Sequence, residues 1–386
     1  MTLKALKGIR VLDLGIVTAG AATSGVLADL GAEVIKIEGP TYIDPFRDWQ
    51  GMGEGDWWEQ SPPYRATNRN KKSTCLDLKS SRGRELFLQL VAMSDVVVEN
   101  FRVGVLDKLG IGFETLRQAN PHIVLASLSS QGATGPSAGN VSFGSTLEAS
   151  SGLAHLMHYP GGKPQITGRA LNYPDQIVSM FAAGAVMAAL VERQRTGQGV
   201  HIDLAQRELS SFFVGEAFIA ALEGTLPEDY PDGPPAALQA LLRGQDGQWV
   251  AVTISAAASE GARQVIGAVT SEALGQFLAA RPAAEGARAL RQAGVAAEVV
   301  VAARDYADPY SPAPGNALAL DDAGHQVKGQ PIRLDGCDAG KAAAVAPLGR
   351  DNRYVASTLL GLSDMQYEAL LAEGIFATRP RTAAAQ

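Results

Sequence analysis

Cysteine is almost missing from this chain: Cys75 and Cys337 are the only two in 386 residues, and they stand far apart. Such a pair offers neither a disulfide framework nor metal-ligand spacing, so reduced thiols and no metal centre are expected. Basic excess is also absent. The 33 Lys and Arg are outnumbered by 40 Asp and Glu, for a net charge of −7, which speaks against nucleic acid as the main partner. No apolar run reaches membrane-spanning length; residues 177–190 come nearest and are too short, so no membrane partner is expected. The N-terminal MTLKALKGIRVLDLG lacks an apolar stretch followed by a cleavage site. Together these absences predict a soluble, cytoplasmic protein.

What is present is ordinary globular composition, 46 % apolar and 19 % charged, at a length that suggests two domains. Residues 9–14, 34–37, 96–98 and 123–128 read as buried strands. Residues 21–30 and 80–93 between them have helical periodicity. Strand alternating with helix predicts a parallel sheet with helices on both faces. Ligands on such sheets bind at the carboxyl ends of the strands, here 15–20, 38–47, 99–102 and 129–135. Gly15, Gly20 and Gly25 do not have the spacing of a dinucleotide fingerprint. A long small-residue helix is expected over 177–193 and another over 204–222. The Pro/Asp-rich PEDYPDGPPAAL then marks a boundary. Beyond it, 247–255 and 297–301 read as strands separated by Ala-rich helical pieces, and Ser363 reads as the N-cap of a last helix.

Asp175 is the most informative residue. It sits where a stretch containing Gly161, Gly162, Pro164, Gly168 and Pro174 gives way to the long helix. A carboxylate at a helix start is held ionised near unsatisfied N–H groups; taken alone, Asp175 reads first as a plain N-cap. The basic NRNKKS offers Arg69, Lys71 and Lys72, either as a solvated charge run or as a phosphate-binding cluster. ENFRVGV puts Asn100, Phe101 and Arg102 at a strand end.

In order and spacing, GIRVLDLG…LADLGAEVIKIEGP, NRNKKSTCLDL, SDVVVENFRVGVLDKLGIGFETL and the Asp175 helix resemble the class III coenzyme A transferases, which include the formyl-CoA:oxalate and carnitine enzymes. The resemblance covers residues 8 to about 376. It implies a Rossmann-like large domain (1–225 with 316–386) with a parallel sheet, a smaller α/β domain (230–315), and an interlocked homodimer. It also implies a CoA-transferase that moves coenzyme A from an acyl-CoA such as succinyl-CoA to a carboxylic acid, with no cofactor beyond the coenzyme A thioester. Asp175 would be the nucleophile, passing through an aspartyl-acyl anhydride and an aspartyl-CoA thioester. Thr18, Ala19, Arg47, Lys71, Lys72, Asn100, Phe101 and Arg102 would bind coenzyme A.

Several residues depart from the family pattern. Ile43 stands where glycine is usual before Asp44 and Arg47, and Val103 where proline follows Arg102. Thr18 replaces a glutamine of formyl-CoA transferase, and Phe143 a tyrosine. A pocket lined by Phe143 is less polar, which speaks against oxalate and for larger acids with an apolar body. Glu148 replaces the usual glutamine, and two carboxylates near each other would make one of them titrate high. The glycine run that closes over the site in formyl-CoA transferases is missing. Oxyanion donors would come from Gly161 and Gly162 or from residues 15–20. Two other readings stay open: an acyl-CoA isomerase or racemase, and a silent subunit of a hetero-oligomeric transferase. No histidine stands at the racemase position near Phe143, and His122, His155, His158, His201 and His325 read as structural or exposed.

Overall fold

Short apolar strands buried on both faces decide the architecture. The computed structural model describes residues 4–48, 55–157, 162–167, 173–225, 236–302, 305, 318–329, 332 and 342–381. Two compact units divide the chain, one comprising Met1–Leu222 with Asn316–Gln386 and the other Glu223–Gly315.

The first unit opens with β1 (Arg10–Asp13), α1 (Ala19–Asp29), β2 (Glu33–Glu38), α2 (Pro62–Asn68), β3 (Lys72–Cys75), α3 (Ser81–Ala92) and β4 (Val96–Glu99). There follow α4 (Val105–Lys108), α5 (Phe113–Ala119), β5 (Val124–Ser127), α6 (Gly144–Ser150), α7 (Leu153–Leu156), α8 (Tyr173–Thr196), β6 (His201–Asp203), α9 (Gln206–Phe212) and α10 (Gly215–Leu222). The six strands pair in the order β3-β2-β1-β4-β5-β6, all parallel.

Because side chains alternate across a strand, Leu12, Ile35, Val97 and Leu125 face α3, α5 and the C-terminal residues Val355, Leu370 and Phe376. Val11, Val34, Val96 and Val124 face the opposite way, onto α1 and α8. Each such side chain removed from water stabilises the fold by about 1.5–3 kcal/mol.

The apolar run at 177–190 is extended in both directions. α8 is 24 residues long, with a mean hydropathy of 1.5 in its most apolar window, which is long and apolar enough to cross a membrane by length and composition. One face of it is packed: Val178, Ala182, Ala183 and Val186 are buried against the small residues of α1 and the sheet, while Met180, Phe181 and Val191 stand exposed. The single helix expected over 204–222 is in fact α9 and α10. Val214 N donates to Ser211 O (3.1 Å) in a turn between them, and Gly215 is a weak helix former.

The second unit holds β7 (Ala236–Arg243), β8 (Trp249–Ser255), α11 (Ser259–Ile266), α12 (Ser271–Ala279), α13 (Ala283–Gln292) and β9 (Ala296–Val299). Its sheet is antiparallel in the order β7-β8-β9, and its core joins Val250, Val252 and Ile254 to Leu274, Leu278 and Leu290. β7 was not expected, since AALQALLR favours helix; pairing with β8 overrides that propensity.

The chain then returns to the first unit through the hairpin β10 (Leu318–Leu320) and β11 (Gln326–Lys328) and ends on α14 (Asp364–Ala372). Ser363 caps α14 as expected, its Oγ accepting from Gln366 N. The returning segment covers the β3 edge: Asn352 Oδ1 accepts from Thr74 Oγ1 (2.8 Å) and Cys75 N (2.9 Å), and Asp351 accepts from Ser73 N (2.8 Å). An edge strand closed in this way offers no free template for another chain.

Candidate active site

The strand order reverses direction between β1 and β4, which opens a crevice at their carboxyl ends. The turn leaving β1 is held in an unusual shape there. Val17 has φ 57°, a left-handed conformation that costs a β-branched residue roughly 1–2 kcal/mol. Buried acceptors fix it: Gly15 N donates to Asp13 Oδ1 (2.8 Å), Ile16 N to Asn100 Oδ1 (2.7 Å) and Val17 N to Asp44 Oδ1 (3.0 Å). Asn100 Nδ2 also donates to Ile16 O (3.0 Å). A Cβ on Gly20 would stand 2.5 Å from Asn100 Oδ1, and one on Gly15 would stand 2.4 Å from the Gly20 carbonyl carbon. Only glycine permits that approach.

This geometry corrects two expectations. Asn100 clamps the turn with its whole amide, so it positions the crevice and does not offer the ligand a free side-chain group. The N–H groups of Gly15, Ile16 and Val17 are engaged as well and are not oxyanion donors. The N–H groups at the start of α1, which lack intrahelical partners by geometry, are the ones that remain. Thr18 and Ala19 are buried at that start, so they meet the crevice through backbone and not through side chains.

Beneath the turn lies a buried ionic network. Lys36 pairs with Asp44 (3.0 Å) and also donates to Gly15 O. Lys71 donates to Asp13 Oδ2 (2.8 Å), Ala21 O (2.7 Å) and Asn68 Oδ1 (2.8 Å), which uses all three of its N–H groups. Burial pulls the Lys71 ammonium down to about 8, against the Asp13 charge. Arg47, fully enclosed, donates to Glu38, Tyr64 OH, Glu59 and Trp58 O. Neither Lys71 nor Arg47 has a donor left for a phosphate, and both are corrected from ligands to framework. Lys72 also departs from its expected place. At the start of β3 it pairs with Glu33 (3.2 Å) at the amino end of β2 and lies over the Tyr354 ring (4.9 Å). Arg69 is tied to Asp29 and to Ala66 O (2.9 Å).

At the β4 end, Phe101, expected to bind coenzyme A, packs partly into the core. Arg102 is exposed, and among the described residues no carboxylate pairs with it. Glu99, three residues before it, accepts from Phe101 N (2.7 Å). Burial pushes the Glu99 carboxyl up to about 7, opposed by the hydrogen bonds from Ser127 and Phe101 N and reinforced by Asp203 and Asp107. Lys36 and Glu38 of the buried network, and the raised Glu99, were not among the expected site residues. The available signal was charge placed inside apolar strands, VIKIE and VVVE.

Asp175 lies in the first turn of α8, which begins at Tyr173, four residues before the expected helix. Its carboxyl is lifted to about 6 by burial, against the pull of its own backbone N–H, with the charge of Glu148 adding to the rise. Glu148 is buried on α6, which packs against α8. It accepts from Thr167 N (2.7 Å) and from Thr167 Oγ1. The packing of α6 against α8 therefore puts Asp175 within electrostatic reach of Glu148. Phe143, just before α6, is 71 % exposed. Gly162 is exposed, while Gly161, Gly168 and His158 lie outside the described residues. His201 stacks on Phe113 (5.2 Å between centroids) and meets Ser127 Oγ (2.9 Å). Among the described residues no group of His, Cys, Asp and Glu could hold a metal ion.

The sequence pattern of CoA-transferase family III matches residues 6–268. Succinyl-CoA–D-citramalate CoA-transferase of Chloroflexus aurantiacus is 38 % identical over 226 residues, which cover 58 % of this chain and 52 % of that protein. Succinyl-CoA:glutarate CoA-transferase of Mus musculus is 39 % identical over 202 residues, covering 52 % and 45 %. The chain thus spans about half the length of the curated relatives it matches. A crystal structure of a CaiB/BaiF family protein from Brucella suis superposes with a TM-score of 0.80 at 28 % identity, over 92 % of this chain and 99 % of that one.

Proposed function

Since the chain belongs to CoA-transferase family III, we propose that it moves coenzyme A from an acyl-CoA donor to a carboxylic acid, with Asp175 as nucleophile. The observation that carries this reading is the Asp175 carboxyl in the first turn of α8, raised to about 6 beside Glu148. Such a carboxylate is ionised at neutral pH yet more basic, and so more nucleophilic, than an ordinary one.

An Asp175 oxygen attacks the thioester carbonyl, the C–S bond breaks, and coenzyme A leaves as thiolate from an aspartyl-acyl anhydride. The thiolate then attacks the Asp175 carbonyl carbon, releasing the donor acid and leaving an aspartyl-CoA thioester. The acceptor carboxylate attacks that thioester, forming a second anhydride and freeing the thiolate again. Thiolate attack on the acceptor's acyl carbon gives the new acyl-CoA and restores Asp175. Each step exchanges one acyl bond for another, so water must be excluded while the anhydrides exist. Arg102 meets the coenzyme A phosphates, and the start of α1 faces the acyl group. The proposal takes the working form as a homodimer with the coenzyme A thioester as substrate and no separate cofactor.

The substrate class rests on Phe143, which stands 71 % exposed before α6 and offers no hydroxyl to a small dianion where formyl-CoA transferase has a tyrosine; an unpaired charge at such a place is unfavourable once the site closes. Succinyl-CoA as donor and acids with a larger apolar body as acceptors are the expected substrates, and the relatives' action on glutarate and citramalate supports that choice. A panel of acyl-CoAs and free acids read by mass spectrometry tests it, with oxalate expected among the poorest acceptors. Asp175→Ala should abolish transfer while coenzyme A still binds, and hydroxylamine added during turnover should modify Asp175 alone. Turnover that leaves Asp175 unmodified and survives Asp175→Ala would remove the nucleophile.

A further inference from the structure

Glu148 is buried to 1 % exposure, yet among the described residues it belongs, like Glu99, to none of the ionic pairs that neutralise most of the other buried acids. Asp13, Asp29, Glu38 and Asp44 each meet a lysine or arginine. Glu148 meets Thr167 instead, through both the backbone N–H (2.7 Å) and the hydroxyl. A buried carboxylate satisfied only by neutral donors keeps its field instead of cancelling it against a cation. The stretch it holds, 162–167, precedes α8 in sequence. Gln165 N of the same stretch donates to Ala154 O on α7 (3.0 Å), so this segment is tied at two points.

We propose that Glu148 is a positioning residue for the reaction: its carboxylate fastens residue 167 to α6 and places a fixed negative charge beside Asp175. The inference rests on Asp175 being the nucleophile. Its chemical consequence is a nucleophile kept more basic than burial alone would make it. The glutamine that resembles it most closely in shape could hold Thr167 but could not supply the charge.

The other charged groups around α8 leave Glu148 as the one that couples to Asp175 among the described residues. β5 carries no ionisable side chain, and α1 carries Asp29 alone, which is bound to Arg69 and Asn70. α9 presents Arg207 and Glu208. From β11, Lys328 donates to Gln176 Oε1 (2.8 Å), one residue beyond Asp175.

The test separates charge from reach. In Glu148→Gln, the acid limb of kcat/KM should move to lower pH by on the order of one unit, the size of a nearby like-charge effect. A 13C titration of the Asp175 carboxyl should move with it. Glu148→Asp keeps the charge but shortens the reach to Thr167; kcat should fall with the acid limb in place. A limb and an Asp175 titration both unmoved in Glu148→Gln would overturn the proposal. Transfer that survives in Asp175→Asn would instead overturn the nucleophile, and the carboxyl titration would still report whether Glu148 couples to Asp175.

Discussion

A guanidinium can hold a phosphate only if its N–H groups are free, and on that ground Arg47 and Arg102 exchange the weights their sequence contexts suggest. Arg47 has its donors committed to Glu38, Glu59, Tyr64 and Trp58. Arg47→Ala would leave Glu38 buried without its cation and should destabilise the fold by ~3–5 kcal/mol, read as a large drop in Tm. Arg102→Ala should leave Tm within a degree or two and weaken coenzyme A binding about ten-fold or more by calorimetry, since a charge-assisted contact contributes ~1.5–3 kcal/mol. At the nucleophile, the sign follows from the raised carboxyl. With Asp175 at about 6, the reactive carboxylate form is lost as pH falls, so kcat/KM should decline below an apparent pKa near that value. A profile that stays flat down to pH 5 would be incompatible with Asp175 as the attacking group.

Elements place these residues through their ends. α1 and α8 bring small residues together, which lets two helices lie close on one face of the sheet. The chain's last helix is set by a local signal: Ser363 and Gln366 cap each other at the start of α14. Ser363→Ala should cost about 0.5–2 kcal/mol, visible as a modest fall in the urea midpoint with an unchanged slope. α14 also buries Tyr367 and Leu370 under the sheet, so the loss should be felt by the whole first unit and not by the helix alone.

At the scale of the molecule, the buried network predicts how the fold responds to acid. Arg47 and Lys36 hold the Glu38 carboxyl down to about 2, against the strong opposing effect of burial. A depressed carboxyl contributes stability that is complete above its ordinary value and lost as pH falls through the folded value. Unfolding free energy should therefore fall between about pH 4.5 and pH 2. Glu38→Gln should flatten that part of the curve while lowering stability at neutral pH, and chemical denaturation across the acid range measures both.

Much of this protein was legible in its residues. The short apolar runs in GIRVLDLG, GAEVIKIE and SDVVVE, alternating with helical patterns, pointed to strands buried on both faces and to a parallel sheet, because a short apolar run needs no partner to be read. The Pro/Asp-rich stretch after 225 marked the place where one unit gives way to another. The position of Asp175 against a helix start was legible for the same local reason. Tertiary structure decided the rest. KSTC and HID are too short and polar to announce the edge strands β3 and β6, and AALQALLR became β7 only through pairing with β8. A basic segment looks alike whether its charges face water or a buried acid, so only folding could assign Lys71 to Asp13 and leave Arg102 open. Whether a carboxylate titrates near 4 or near 6 depends on what surrounds it in space, and the twenty-six positions between Glu148 and Asp175 are closed only by the packing of α6 against α8.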